Sequence, residues 1–112
     1  MVDVKELLEN AIAPYPLYLQ GSRSGGNYEN EFCTYALNAI DEKYRNNVPI
    51  MGIWEFDFNF YSIQLNYEDV FNALIVKLRS AGFIPVGRGG DAPSDDKNYN
   101  GRSILIRYKE NY

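Results

Sequence analysis

The sequence predicts an α+β fold: a mixed, mainly antiparallel sheet of about four to five strands with two helices packed on one face. Three observations predict it. Met51 to Tyr61 reads M-G-I-W-E-F-D-F-N-F-Y. On an extended chain this places Trp54, Phe56, Phe58 and Phe60 on one face and Glu55, Asp57 and Asn59 on the other, the pattern of a half-buried antiparallel strand. Tyr67 to Ala81 instead repeats its apolar residues at helical spacing, with Val70, Phe71, Leu74, Ile75 and Leu78 in one stripe. The other apolar stretches are short, with Gly, Pro and Asn clusters between them. A chain of 112 residues, 46% of them hydrophobic, suits a single domain over residues 1–112 with one core.

In chain order, Val2 to Ala13 reads as a short amphipathic helix with Val4, Leu7, Leu8 and Ala11 inward, Asp3 as its cap, and Pro14 and Pro16 as its stop. Leu17 to Gln20 is a short extended segment, and Gly21 to Asn27 a glycine-serine loop. Tyr28 to Ile40 is a second strand, with Cys33, Tyr35, Leu37 and Ala39 on one face and Thr34 and Asn38 on the other. The polar stretch Asp41 to Pro49 is expected to be a connection, which makes the aromatic strand the second arm of a hairpin. Asn66 precedes the long helix as N-cap, Glu68 and Asp69 suit its first turn, Lys77 and Arg79 its last, and Gly82 ends it. Phe83 to Val86 is a short strand that Pro85 assigns to an edge. Gly87 to Gly101 is expected to be a fifteen-residue loop, long enough to suggest function. Arg102 to Glu110 closes the chain as a strand with Ile104, Ile106 and Tyr108 on one face.

Composition narrows the chemistry. The chain has no histidine and one cysteine, Cys33. The first absence removes the commonest general base and metal ligand together, which leaves Ser-His and Cys-His catalysis without a base. The second precludes an internal disulfide, and a lone cysteine within a strand reads as a buried structural thiol. The net charge is −4, with nine acids against four bases in residues 1–65 and six against seven in residues 66–112. No basic cluster offers a sequence-independent grip on nucleic acid. No apolar run reaches the roughly 20 residues of a membrane helix, and no secretory signal is expected. Enzymatic activity, a cofactor and a metal are not expected.

Among candidate residues, Gly25 and Gly26 lie in a run without the G-x-x-x-x-G-K-[ST] order of a phosphate-binding loop, so a surface or inter-subunit loop is the better reading. Asp91, Asp95 and Asp96 lack the alternate-position spacing of a calcium loop and read as a solvated acidic segment. Arg88 and Arg102 bracket the expected long loop and Arg23 sits in the earlier one, among glycines; recognition of carboxylates across an interface and simple solvation stand as equal readings. Glu55 and Asp57, with Asn59, mark an exposed or subunit-covered strand face rather than a hydrolytic pair.

Three segments together carry a resemblance: Y-P-L-Y-L-Q-G-S-R, W-E-F-D-F-N-F-Y-S, and A-G-F-I-P-V-G-R-G-G-D-A-P-S-D followed by N-G-R. In these the chain resembles the tail terminator or tail completion proteins, involved in head-tail joining, of long-tailed bacteriophages that infect Gram-positive bacteria. The resemblance runs from Tyr15 to Arg107. It implies a virion structural protein, assembled in the bacterial host cytoplasm and located in the tail or neck. Such a protein forms a ring, most often of six copies, that caps the tail tube and meets the head connector or stopper protein while DNA passes through unbound. Its partners would then be itself, the tail tube protein and the connector. A head-completion or stopper protein, and a small ligand-binding regulatory domain, are the alternatives. Under the leading reading Arg23, Gly25, Gly26, Arg88, Gly89, Gly90, Asp91, Asp95, Asp96 and Arg102 belong to subunit or partner interfaces, and Glu55, Asp57 and Asn59 face the channel.

Overall fold

The computed structural model describes residues 3–20, 30–92, 94 and 98–112. Its elements in order are α1 (Val4–Ala11), β1 (Leu17–Leu19), β2 (Glu31–Arg45), β3 (Val48–Ser62), α2 (Tyr67–Ser80), β4 (Phe83–Asp91) and β5 (Asn100–Asn111). One five-stranded sheet runs in the order β1-β2-β3-β5-β4. β1 is parallel to β2 and every other pairing is antiparallel. This is the expected α+β architecture, with the aromatic strand β3 at its centre.

The core lies between one sheet face and both helices. Phe56, Phe58 and Phe60 of β3 are fully buried against Val4 and Leu8 of α1, Ile12 just beyond it, and Phe71, Leu74 and Leu78 of α2. Cys33 of β2, Phe83 of β4, and Ile104 and Ile106 of β5 complete the cluster. Burying each large side chain contributes roughly 1.5–3 kcal/mol before entropy is subtracted, so this helix-covered layer dominates stability. The side chain of Asp3 caps α1 by accepting from the Glu6 N–H at 3.1 Å. Asn66 occupies the N-cap of α2 without a side-chain bond. Its carbonyl instead accepts from Asp69 and Val70, as the first helical turn requires. Gly82, at φ 99°, takes the left-handed conformation that ends α2.

Two expected connections are wholly or partly taken up by strands. Asp41 to Pro49 is not a loop: β2 and β3 are each 15 residues long and continue to a two-residue turn at Asn46-Asn47. Both asparagines have positive φ, 52° and 64°, the backbone of a tight hairpin turn that asparagine tolerates better than most residues. The polar composition of Asp41 to Lys43 hid this strand because neither helix covers it. β2 also changes phase at Asn38, where Leu37 pairs with Phe56 but Ala39 pairs with Glu55. This bulge turns Ala39 to the outer face and places Ile40, opposite Trp54, on the face of Leu37, contrary to the uninterrupted alternation read from the sequence.

The expected fifteen-residue loop is likewise strand at both of its ends. Gly87 to Asp91 belong to β4 and Asn100 and Gly101 to β5. Between the pairs Val86–Leu105 and Gly90–Ser103, three residues of β4 oppose one of β5, so Gly87, Arg88 and Gly89 form a wide bulge. Gly87 and Gly89 adopt φ of 73° and 74°. A Cβ on Gly89 would also collide with the Ser103 carbonyl oxygen, so glycine is required there twice over.

The hairpin carries the sheet past the helices. The molecule measures 52 × 27 × 22 Å, and its radius of gyration is 15.0 Å. A compact chain of this length would have about 13 Å.

Candidate functional site

The predicted interface residues fall into three groups. Arg23, Gly25, Gly26, Asp95 and Asp96 lie outside the described residues. Arg88, Gly89, Gly90, Asp91 and Arg102 converge at the β4 bulge. Glu55, Asp57 and Asn59 share the sheet face opposite the helices.

At the bulge, Arg102 faces inward. Its register partners are Phe60 on β3 and Asp91 on β4, which places its guanidinium beside the helix layer. The Cζ lies 5.5 Å from the centroid of the Phe71 ring, a cation–π contact. Nη2 donates to the Arg88 carbonyl oxygen at 3.4 Å, and Nη1 lies 3.5 Å from Asp91 Oδ1. The Asp91 side chain is 81% exposed, so this ion pair is weak, and the bond to the Arg88 carbonyl together with the stacking on Phe71 gives Arg102 its place. Arg102 therefore clasps the bulge to β5 within its own chain. Arg88 contributes its backbone to the clasp and keeps an exposed side chain. The two arginines that look equivalent in the sequence have opposite roles: one is structural and the other faces solvent.

The outer sheet face is ordered in cross-strand rows. Ile84, Arg107, Glu55 and Ala39 form one row; Val86, Leu105, Asp57 and Ala36 the next; Gly90, Ser103, Asn59, Thr34 and Tyr18 the third. Glu55 accepts from Arg107 Nε at 3.1 Å. Asp57 accepts from Asn38 Nδ2 at 3.1 Å, so the bulge residue of β2 fixes the carboxylate beside it. Asn59 is buried, and its Nδ2 donates to Thr34 Oγ1 at 3.1 Å and Gln20 Oε1 at 3.5 Å, which satisfies an otherwise costly buried amide. The acidic face read from β3 alone is thus not acidic across the sheet. Neighbouring strands place Arg107, Lys109 and Lys43 on the same face as Glu55, Asp57 and Asp41. An open cleft of about 310 Å³ lies here, lined by Gln20, Asp57, Asn59, Tyr61 and Ser103 among others.

A second, smaller apolar group escaped the sequence reading. Phe32 on the outer face stacks on Tyr61 at 5.2 Å between ring centroids and meets Tyr99 edge-on at 5.5 Å and Tyr18 at 6.3 Å. The alternation of Phe32 with Cys33 on β2 is its only trace in the sequence. Burial pushes the Cys33 thiol far up, with the nearby Glu31 carboxylate adding to the shift, so it stays protonated and unreactive at neutral pH. Among the described residues no group of three or more acids and cysteines is placed to hold a metal ion, and no helix is long and apolar enough to cross a membrane.

Described residues from each of the three segments of the resemblance meet at the helix-covered end of the sheet. Phe60 and Tyr61 of the second pair with Arg102 and Gly101 of the third, and the Pro16 carbonyl of the first accepts from Cys33, which itself pairs with Phe60. Neither the protein-family models nor the curated proteins contain a match to this chain.

Proposed function

We propose that the protein is a phage virion assembly protein of the head-tail interface, a tail terminator that caps the tail tube as a ring of about six copies and joins it to the head connector. The observation that carries this reading beyond the resemblance is the division of the sheet. One end is a complete helix-covered core, and the other is a long hairpin that projects from it with apolar side chains in solvent. An element of this kind gains stability from a protein partner rather than from a small ligand. The outer face, with its acids paired or hydrogen-bonded, suits a wall that neither grips nor strongly repels DNA, since a grip needs clustered positive charge. The reading is mechanical and contains no catalytic step.

The test is to add the purified protein to open tail tubes built from the tube protein encoded with it, and to examine the tube ends by electron microscopy. A ring-shaped cap that halts tube growth and permits joining to heads is expected. Tubes that keep growing uncapped at saturating protein would overturn the reading.

A further inference from the structure

We infer that the helix-side face of the far β2–β3 hairpin is a docking site for one amphipathic α-helix of a partner protein, whose apolar stripe is flanked by lysine or arginine. The inference rests on the partner-binding reading above and names the surface and the chemistry of what covers it.

Three strands build the face in register. Leu37 stands opposite Phe56, and Ile40 opposite Trp54, which faces Tyr108; Glu42 stands opposite Gly52, which faces Glu110. Ile50 follows by alternation, and the Tyr112 N–H donates to its carbonyl oxygen at 3.0 Å. These rows continue the side of the sheet on which Phe56 and Ile106 are buried under the helices. Ile40, Ile50 and Tyr112 nevertheless lie outside the helix-packed cluster and are 43%, 41% and 53% exposed. Gly52 makes room among them: the Tyr112 hydroxyl lies 2.6 Å from where a Cβ at this position would stand, and Ile40 borders the same spot at 3.8 Å. The phenol ring therefore lies flat against the strand, and the apolar surface is continuous from Ile40 to Tyr112.

Size selects a helix. From Ile50 to Trp54 the strand rises about 13 Å, and β2, β3 and β5 together span about 10 Å. An α-helix with its side chains is about 10–12 Å across, so one helix covers the face and extends the layer of α1 and α2. A docked strand would instead need a sheet edge, whereas this surface presents side chains.

Charge selects the flanks of that helix. Along residues 37–43 of β2, 51–56 of β3 and 106–111 of β5, Glu42 and Glu110 are on the helix side, while Lys43, Arg107 and Lys109 alternate to the outer face. Desolvation, and then the Glu42 and Glu110 carboxylates, push the Tyr112 phenol above its ordinary value, in keeping with both acids lying near this ring. Lysine or arginine beside the apolar stripe of a partner helix meets this pair with opposite charge. A second copy of the same face would bring four carboxylates together, which argues for a basic partner over self-association here.

Trp54, the only tryptophan, borders the face and reports binding by fluorescence on the full chain. The probe is a synthetic helical peptide of about 18 residues with leucine at helical spacing and lysine on both flanks, compared with a counterpart carrying glutamate in place of lysine. The lysine peptide is expected to bind with a Kd below about 1 mM, and about tenfold more tightly than the glutamate peptide. E42K, at an exposed position, should narrow or reverse that preference. I40D/I50D should weaken binding of the lysine peptide by about tenfold, and I84D on the outer face should leave it unchanged. Circular dichroism checks that each variant folds, and I40S/I50S replaces the aspartate pair if that pair unfolds. A lysine peptide that does not bind, equal binding of the two peptides, or a preference untouched by E42K overturns the inference. Wild-type oligomers that I40D/I50D disperses in sedimentation would assign the face to a second copy and overturn it as well. Tube capping is read separately. Tubes capped by a protein that binds neither peptide would remove this docking site and spare the functional reading, whereas lysine-peptide binding by a protein that leaves tubes uncapped would do the reverse.

Discussion

The two ends of the sheet are built from the same strands and obey different rules. At the base, β3 presents Phe56, Phe58 and Phe60 to two helices and buries all three completely. Beyond Trp54 the same strand runs out with β2 into solvent, where Ile40, Val48 and Ile50 stay exposed. The change falls where helix cover ends. Trp54 marks the border: it stacks on Phe56 at 6.1 Å, and its indole N–H is buried without an acceptor. The base is stabilised by its own layers, and the hairpin is held in shape by its turn and ladder while several of its apolar side chains stay exposed. An isolated two-stranded ribbon is at best marginal in water, which is why β5 is needed alongside β3 as far as Met51.

The largest effect is expected at the base. Phe58→Ala should cost about 3–5 kcal/mol in urea denaturation, since the ring is fully buried and the cavity cannot collapse against two helices. An equivalent loss from Ile50→Ala at the hairpin would erase the distinction between the two ends; a change within about 0.5 kcal/mol is expected there. Next comes Gly89→Ala, where positive φ and the Ser103 carbonyl act together, with an expected cost of about 1–3 kcal/mol. Asn59→Ala should cost about 1–2 kcal/mol by leaving Thr34 and Gln20 without their shared donor.

The base also predicts a pH dependence. Burial raises the folded Cys33 thiol above its unfolded value of about 8.5. Below that pH both states keep the proton and the contribution is complete. As pH rises past it, the unfolded chain loses its proton while the folded chain retains one, so stability falls by about 1.4 kcal/mol per pH unit. Denaturation of wild type and Cys33→Ala between roughly pH 8.5 and 10 should show this slope difference, and parallel curves would place the thiol in contact with water.

How legible each end was in the sequence follows from the same contrast. Strict alternation in β3 and the stripe of α2 marked the base, because burial on one face forces periodicity. The far hairpin was hidden because neither helix covers it: Asp41, Glu42 and Lys43 read as loop, and only Asn46-Asn47 signalled a turn between strands. The bulge at Asn38 broke the alternation that would have extended β2. The same holds at the candidate site. Gly87, Gly89 and Gly90 resembled a flexible loop, although their positions in β4 answer to a bulge closed by Arg102. No local pattern distinguishes a clasping arginine such as Arg102 from a solvated one such as Arg88, because the Phe71 ring that holds Arg102 is distant in sequence.

Amide hydrogen exchange, followed residue by residue, tests the central contrast most directly. The account predicts that amides of Phe56 to Phe60 are strongly protected, while those of the far hairpin, Ile40 to Arg45 and Val48 to Ile50, exchange much faster. Hairpin amides that exchange as slowly as those of the base would contradict it.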